Sequence, residues 1–242
     1  MSTETKLPPG QYELEEFPRF GLSQFAKRFP KETRQIQVKI TGDVDNSITV
    51  SDELRDLPRV DQTSDFHCVT TWTRRSLRWS GFRFSDFFER IVVPRARPQQ
   101  DSTFVILRCQ DGYGSSLPLA DLLADTVLLA DSLNGEPLSI EHGAPLRLVA
   151  PAHYGYKNPK HVCAVEFWRD DRQFRPSAPF RFISPAGPPW NLAVPTRARP
   201  TLECQASNRL TILFGKARRR GPGSRTIAQI HQAAAQRVNV RY

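Results

Sequence analysis

Phe66-His67-Cys68-Val69-Thr70-Thr71-Trp72 sets a single cysteine between aromatic residues and ahead of a Thr-Thr-Trp run. The other cysteines, Cys109, Cys163 and Cys204, lie far away in sequence and form no C-x-x-C pair, which argues against a zinc ribbon or a thioredoxin-type site. Alone, Cys68 reads as a small buried hydrophobe, the common fate of a free cysteine. Its thiolate is also a soft ligand suited to a transition metal, provided that something else supplies the remaining donors. Downstream stand two basic, glycine-containing segments. They are His142-Gly143-Ala144-Pro145-Leu146-Arg147 and Tyr154-Gly155-Tyr156-Lys157-Asn158-Pro159-Lys160. A soft ligand followed by two anion-ready segments points to a metal carried in a large anionic cofactor.

The chain of 242 residues is long enough for one sizeable core, or one core with an appendage. With 39% hydrophobic residues and 15 Phe, that core needs no disulfide staples. Twenty prolines argue for strands and turns rather than a helical bundle. The net charge of +9 is unevenly placed: residues 1–170 sum to −2 and residues 171–242 to +11. The basic character therefore belongs to the tail, which could meet nucleic acid, an acidic partner or a membrane surface. The first residues are polar, without an apolar core or twin arginines, and no stretch approaches 18 apolar residues. The expectation is a cytoplasmic protein with reduced thiols.

Residues 1–16 read as a mobile arm. Gln35 to Ile40 alternates strictly and predicts a half-buried strand. Ser51-Asp52-Glu53-Leu54 predicts a short helix capped by Ser51, and Ser85-Asp86-Phe87-Phe88-Glu89 repeats that signal. Strands are predicted over 103–109, 146–150 and 162–168, with a brief helix over 118–123 led by proline. Val127 to Ala130 and Leu138 to Ile140 flank Asn134-Gly135, a hairpin-type turn. Short strands interspersed with short helices, without βαβ alternation, give an α+β class, mixed and strand-rich. After Arg169 the chain becomes proline-rich and then basic, and Thr226 to Val238 can form one helix. The domain plan is thus an arm (1–16), a folded domain (17–170) and a basic Pro/Arg-rich tail (171–242). A lineage-specific extension, a linker with a docking helix and a reading-frame change are all open as origins of the tail.

The ordered set of segments resembles the sulfite oxidase family of molybdenum-cofactor oxidoreductases, most closely its short bacterial members that consist of the cofactor domain alone. The resemblance rests on Cys68 with Thr70-Thr71-Trp72, Trp79-Ser80-Gly81 and Asp111-Gly112-Tyr113-Gly114-Ser115-Ser116-Leu117-Pro118-Leu119. It continues through Leu128-Leu129-Ala130, Leu133-Asn134-Gly135-Glu136-Pro137-Leu138, the His142 to Arg147 segment and the Gly155 to Lys160 loop. It implies a sulfite-oxidase-like fold and a molybdopterin cofactor. Cys68 would then ligate molybdenum beside the two dithiolene sulfurs of the pterin. Tyr113 would sit near the oxo groups and assist proton-coupled electron transfer. His142 and Arg147 would contact the pyranopterin or its phosphate, and Lys157 and Lys160 would belong to a loop that wraps the phosphate. Lys157 stands where animal and plant enzymes tend to have Arg. Cys109 falls near the pterin, and Arg19 lies in Phe17-Pro18-Arg19-Phe20, similar to the segment that closes over it.

The function implied is oxygen-atom transfer on a small substrate, sulfite- or sulfoxide-like. No haem-binding module is visible before residue 17 or after 170, so electrons are expected to be exchanged with a separate partner. Arg74, Arg75 and Arg78 could face an anionic substrate such as sulfite, or form an exposed basic cluster. Two other readings remain at this level. One is a non-catalytic binding protein using the basic tail, although no nucleic-acid motif is visible. The other is a degenerate homologue that holds no cofactor.

Overall fold

The computed structural model describes residues 7–19, 25, 27–31 and 33–175. The tail from residue 176, with its expected helix at 226–238, lies outside the described residues, as do residues 1–6 of the expected arm.

Two sheets carry the domain. The first is six-stranded and joins β1 (Tyr12–Glu13), β4 (Arg59–His67), β5 (Trp72–Arg83), β8 (Leu128–Leu133), β9 (Glu136–Pro137) and β10 (Arg147–Val149). Its backbone order is β1-β5-β8-β10, with β4 also on β5 and β9 on β8. The second is five-stranded in the order β3-β2-β11-β6-β7. Its strands are β2 (Val38–Gly42), β3 (Ile48–Val50), β6 (Phe104–Cys109), β7 (Gly114–Pro118) and β11 (Val162–Trp168). Pairing is antiparallel except for β1 with β5 and β11 with β2. The α+β, strand-rich class read from the sequence is the one observed.

Side chains from both sheets fill one main core, with Val38, Ile40, Val105, Leu107 and Phe167 from the second sheet meeting Phe82, Leu129 and Leu148 from the first. The opposite face of the first sheet packs a smaller cluster of Leu77, Trp79, Leu128, Ala130 and Val149, which Phe17 and Phe66 cover. The first sheet is therefore covered on both faces around β5, β8 and β10, and the start of β8, Leu128-Leu129-Ala130, is an apolar run for that reason. Helices are few and short: α1 (Phe84–Phe87), which runs directly into a π-helical turn over Phe88–Ala96, and α2 (Leu119–Leu122).

Several local expectations are corrected. Ser51 does not cap by its side chain; instead the Glu53 carboxylate accepts the Ser51 backbone N–H at 2.8 Å, ahead of a 3₁₀ turn over Asp52–Asp56. Helix α1 starts before Ser85, where the Phe84 N–H bonds to the Val127 carbonyl. Asn134 and Gly135 do make the turn, both at positive φ. The pairing beyond it is short: after Glu136–Pro137 and the Leu138 N–H on the Asp131 carbonyl, the Ser139 carbonyl accepts the N–H groups of His142, Gly143 and Ala144. The end of the expected arm does not stand free: Tyr12 and Leu14 donate N–H groups to the carbonyls of Thr71 and Thr73.

Candidate active site

Cys68 occupies the turn between β4 and β5. The turn closes through Cys68 N–H to the Trp72 carbonyl at 2.8 Å and Thr71 N–H to the Cys68 carbonyl at 3.1 Å, with Thr71 at φ 77°. The Gln11 side-chain amide, brought in beside β1, donates to the same Cys68 carbonyl at 3.0 Å. The turn is thus held from two sides. The thiol is 3% exposed and lies 3.1 Å from the Thr70 hydroxyl. Burial raises its pKa, so the free protein keeps a neutral thiol there. A bound metal ion reverses that preference, because coordination removes the thiol proton.

Cys68 lines a cavity with about 730 Å³ of empty space, its mouth included. Phe66 and Trp72, stacked with centroids 5.9 Å apart across the hairpin, form one wall. Phe17 packs edge-on to both and stacks flat on the His142 ring at 4.8 Å. Tyr113, Arg147, Gly155, Asn158 and Lys160 complete the sides.

Of the sequence-derived site residues, Cys68, Tyr113, His142, Arg147 and Lys160 line the cavity; Cys109, Lys157 and Arg19 do not. Lys157 is 1% exposed and turns to donate to the Ser116 carbonyl, and burial lowers its pKa to about 7. Cys109 is buried in the turn that leads to Tyr113, and burial pushes its thiol pKa well up. Arg19 lies over the Phe29 ring, 4.0 Å from its centroid. Its charge still reaches Lys160. Tyr113 places its hydroxyl on the Tyr156 carbonyl at 2.6 Å, and burial raises its pKa. Arg74, Arg75 and Arg78 do not line the cavity. Arg75 pairs with Glu13, and Arg78 donates to the Asn134 carbonyl.

Arg147 is the most telling group. It is 2% exposed, lies over the Trp79 ring at 4.8 Å, and donates to the carbonyls of His142, Leu148 and Asn158. Among the described residues it meets no carboxylate, and burial alone lowers its pKa to about 9. Lys160, on the same cavity, is lowered to about 8 by burial and then by the charges of Arg147 and Arg19. Burial, Arg147 and Lys160 likewise lower the pKa of His142. A buried cation without a counter-charge is costly. An anion in the cavity would offset that cost for Arg147.

Two features carry no mark in the sequence. Asn158 is the hub of the 150–158 loop: its side chain accepts the Ala150 N–H and donates to the carbonyls of Ala150, His153 and Tyr154. Gly155, on the cavity wall, is required by a contact within the protein, since a Cβ there would stand 2.5 Å from the Phe66 ring. The Asn-Pro dipeptide signals a turn but not that hub, and the contact between Gly155 and Phe66 joins segments 89 residues apart.

The domain thus sets one thiol, at the turn of a hairpin, on a cavity that Arg147, Lys160 and His142 also line. The profile of the oxidoreductase molybdopterin binding domain matches residues 26–175, and the chain belongs to that family. It is a molybdopterin-dependent oxidoreductase with a sulfite-oxidase-like cofactor domain. An uncharacterized oxidoreductase, YuiH, from Bacillus subtilis is 33% identical over 167 residues, 69% of this chain and 81% of its own. A putative protein-methionine-sulfoxide reductase subunit, YedZ1, from Azospira oryzae is 31% identical over 55% of this chain and 49% of its own. The catalytic subunit MsrP of the protein-methionine-sulfoxide reductase from Campylobacter jejuni is 26% identical over 57% of this chain and 50% of its own. The chain thus spans about half the length of the last two. Among solved structures, the sulfane dehydrogenase SoxCD from Paracoccus pantotrophus aligns at a TM-score of 0.48 with 21% identity, over 63% of this chain and 40% of that one.

The residues present fit the cofactor. Among the described residues no three His, Cys, Asp or Glu side chains gather to hold a metal ion by themselves. A metal at Cys68 therefore has to arrive with its own donors, and buried Arg147, which meets no carboxylate among the described residues, suits an anionic carrier.

Proposed function

We propose that the enzyme reduces small sulfoxides by oxygen-atom transfer, with Cys68 as the protein thiolate of the molybdenum. The observation that carries this reading is that Cys68 lines the same cavity as buried Arg147 and half-buried Lys160. When bound, molybdopterin supplies the two-electron metal centre at which oxygen is exchanged. Arg147, Lys160 and His142 hold its anionic parts, with Arg147 presenting a planar fork suited to phosphate. Phe17, Phe66 and Trp72 exclude water from the reacting end. Tyr113 keeps its proton across the physiological range and braces Tyr156 through its hydroxyl.

Overall, a sulfoxide, two protons and two electrons yield a sulfide and water, and the electrons come from a separate partner. Two observations favour a sulfoxide over sulfite. The cavity has aromatic walls, and the three arginines considered for an anionic substrate do not line it. Two relatives are also named as protein-methionine-sulfoxide reductase components.

The test uses full-length protein from a host that makes the cofactor. It should contain about one molybdenum per chain and a pterin that fluoresces after oxidation, because one protein thiolate and one dithiolene complete such a site. It should oxidise reduced methyl viologen when methionine sulfoxide is added. Metal-free and pterin-free protein would overturn the whole reading. Loaded protein that turns over sulfite and not sulfoxides would overturn the choice of substrate.

A further inference from the structure

The segment from Phe17 to Arg34 contributes more than cavity wall. Phe17, Pro18 and buried Phe25 line the cavity. The same stretch carries Arg19, Lys27, Arg28, Lys31 and Arg34 against one carboxylate, Glu32. Lys27, Arg28, Lys31 and Arg34 are exposed. Arg28 is fixed at the cavity: its guanidinium donates to the carbonyl of Asp111, a lining residue, at 3.4 Å and lies over the Phe25 ring. Arg19 sits on Phe29, which at 48% exposed is one of two large hydrophobic residues left in water among the described residues. An exposed aromatic ring under Arg19, and Arg28 on a cavity-lining residue, thus stand in a stretch of five cations and one carboxylate, on a domain whose residues 1–170 sum to −2. The local charge is opposite in sign to that of the domain that carries it.

We propose that this collar is the docking surface for an acidic electron-carrier protein. The proposal rests on the oxidoreductase reading above, in which electrons come from a separate partner. A carrier must approach the cavity, and Arg28 beside Asp111 and Arg19 near Lys160 put the basic stretch next to it. Its fixed cations attract and orient an acidic surface, raising the encounter rate 10- to 1,000-fold in the manner of steered association, about the range known for such pairs. Phe29 supplies the apolar contact that interface cores favour. The chain's own tail is a poor occupant: residues 171–242 sum to +11, so the collar repels it.

The test compares two electron donors with methionine sulfoxide as the sink, using full-length holoenzyme. One donor is reduced flavodoxin, a small acidic carrier; the other is reduced methyl viologen, which needs no docking surface. The collar predicts that flavodoxin turns over and that Lys27→Glu with Lys31→Glu lowers its second-order rate at least about tenfold at low salt. Raising salt to about 0.2 M should lower the wild-type rate toward that of the variant, since screening acts over about 8–10 Å. Methyl viologen turnover should stay within about twofold in both proteins, which also shows that the variant folds and holds its cofactor.

Viologen turnover without flavodoxin turnover overturns the collar and leaves the proposed function standing, as does flavodoxin turnover indifferent to both charge reversal and salt. Failure with viologen overturns the proposed function and the collar with it. If the charge reversal instead abolishes binding of a short DNA duplex, or dissociates a dimer of this chain, while flavodoxin turnover is unmoved, the collar serves that occupant and the proposal falls.

Discussion

Lys157 and Gly155 show how single residues constrain this site from behind. The folded pKa of Lys157 is about 7, below its ordinary 10.5, so the unfolded chain binds more protons between those values. Stability should therefore rise as pH increases from about 7 toward about 10 and be flat in this respect below 7, where both states are protonated. Urea midpoints of cofactor-free protein across that range should rise with pH, and Lys157→Met should remove that part of the slope. A slope unchanged by the substitution would show that Lys157 is not its source. At Gly155 even one methyl group meets the Phe66 ring. Gly155→Ala should cost about 1–3 kcal/mol as overpacking. It should also lower molybdenum content, because Phe66 stands next to the Cys68 turn. Full loading and wild-type stability would show that Phe66 moves aside freely. Cys68, Tyr113, His142, Arg147 and Lys160 all line the cavity, and it was the resemblance to the sulfite oxidase family, more than any single residue, that singled them out. Lys157 was legible as a basic loop residue, but not its direction, since only the placement of Ser116 turns it away.

The element that presents Cys68 is the β4–β5 hairpin, and its strands carry no readable pattern. Strand β4 has Val60 and Phe66 as its only strongly apolar residues. Strand β5 serves two cores: Leu77 and Trp79 face the smaller cluster, while Phe82 faces the main one. Its apolar residues therefore fall on both parities, and the period-two signal of a half-buried strand vanishes. The second-sheet strands β6 and β11 were legible because β-branched and aromatic residues concentrate there. The hairpin is anchored on its neighbour by Gly81, where β5 shifts register against β8. A Cβ at Gly81 would stand 2.2 Å from the Leu129 carbonyl oxygen, a backbone atom with no rotamer to change. Gly81→Ala should thus be more damaging than Gly155→Ala, separating β5 from β8 locally. Hydrogen exchange should show lost protection along Leu128 to Leu133. Protection equal to wild type would mean that the two strands re-register without loss.

At the scale of the molecule, the family match ends at residue 175 and every candidate site residue precedes Arg169. A chain ending at Arg175 should therefore take up molybdenum and pterin as the full chain does. A soluble but empty product would show that residues 176–242 complete the domain. The α+β class was legible from many short elements without βαβ alternation. The covering of the first sheet on both faces was not, because no local pattern reports which distant segment supplies Phe17 or Phe66. Molybdenum X-ray absorption tests most directly whether the one cysteine in the β4–β5 turn binds the metal. Wild-type protein and Cys163→Ser should show the same sulfur shell around molybdenum, and loaded Cys68→Ser should show one sulfur fewer and no turnover. A sulfur shell identical in all three proteins would contradict the account.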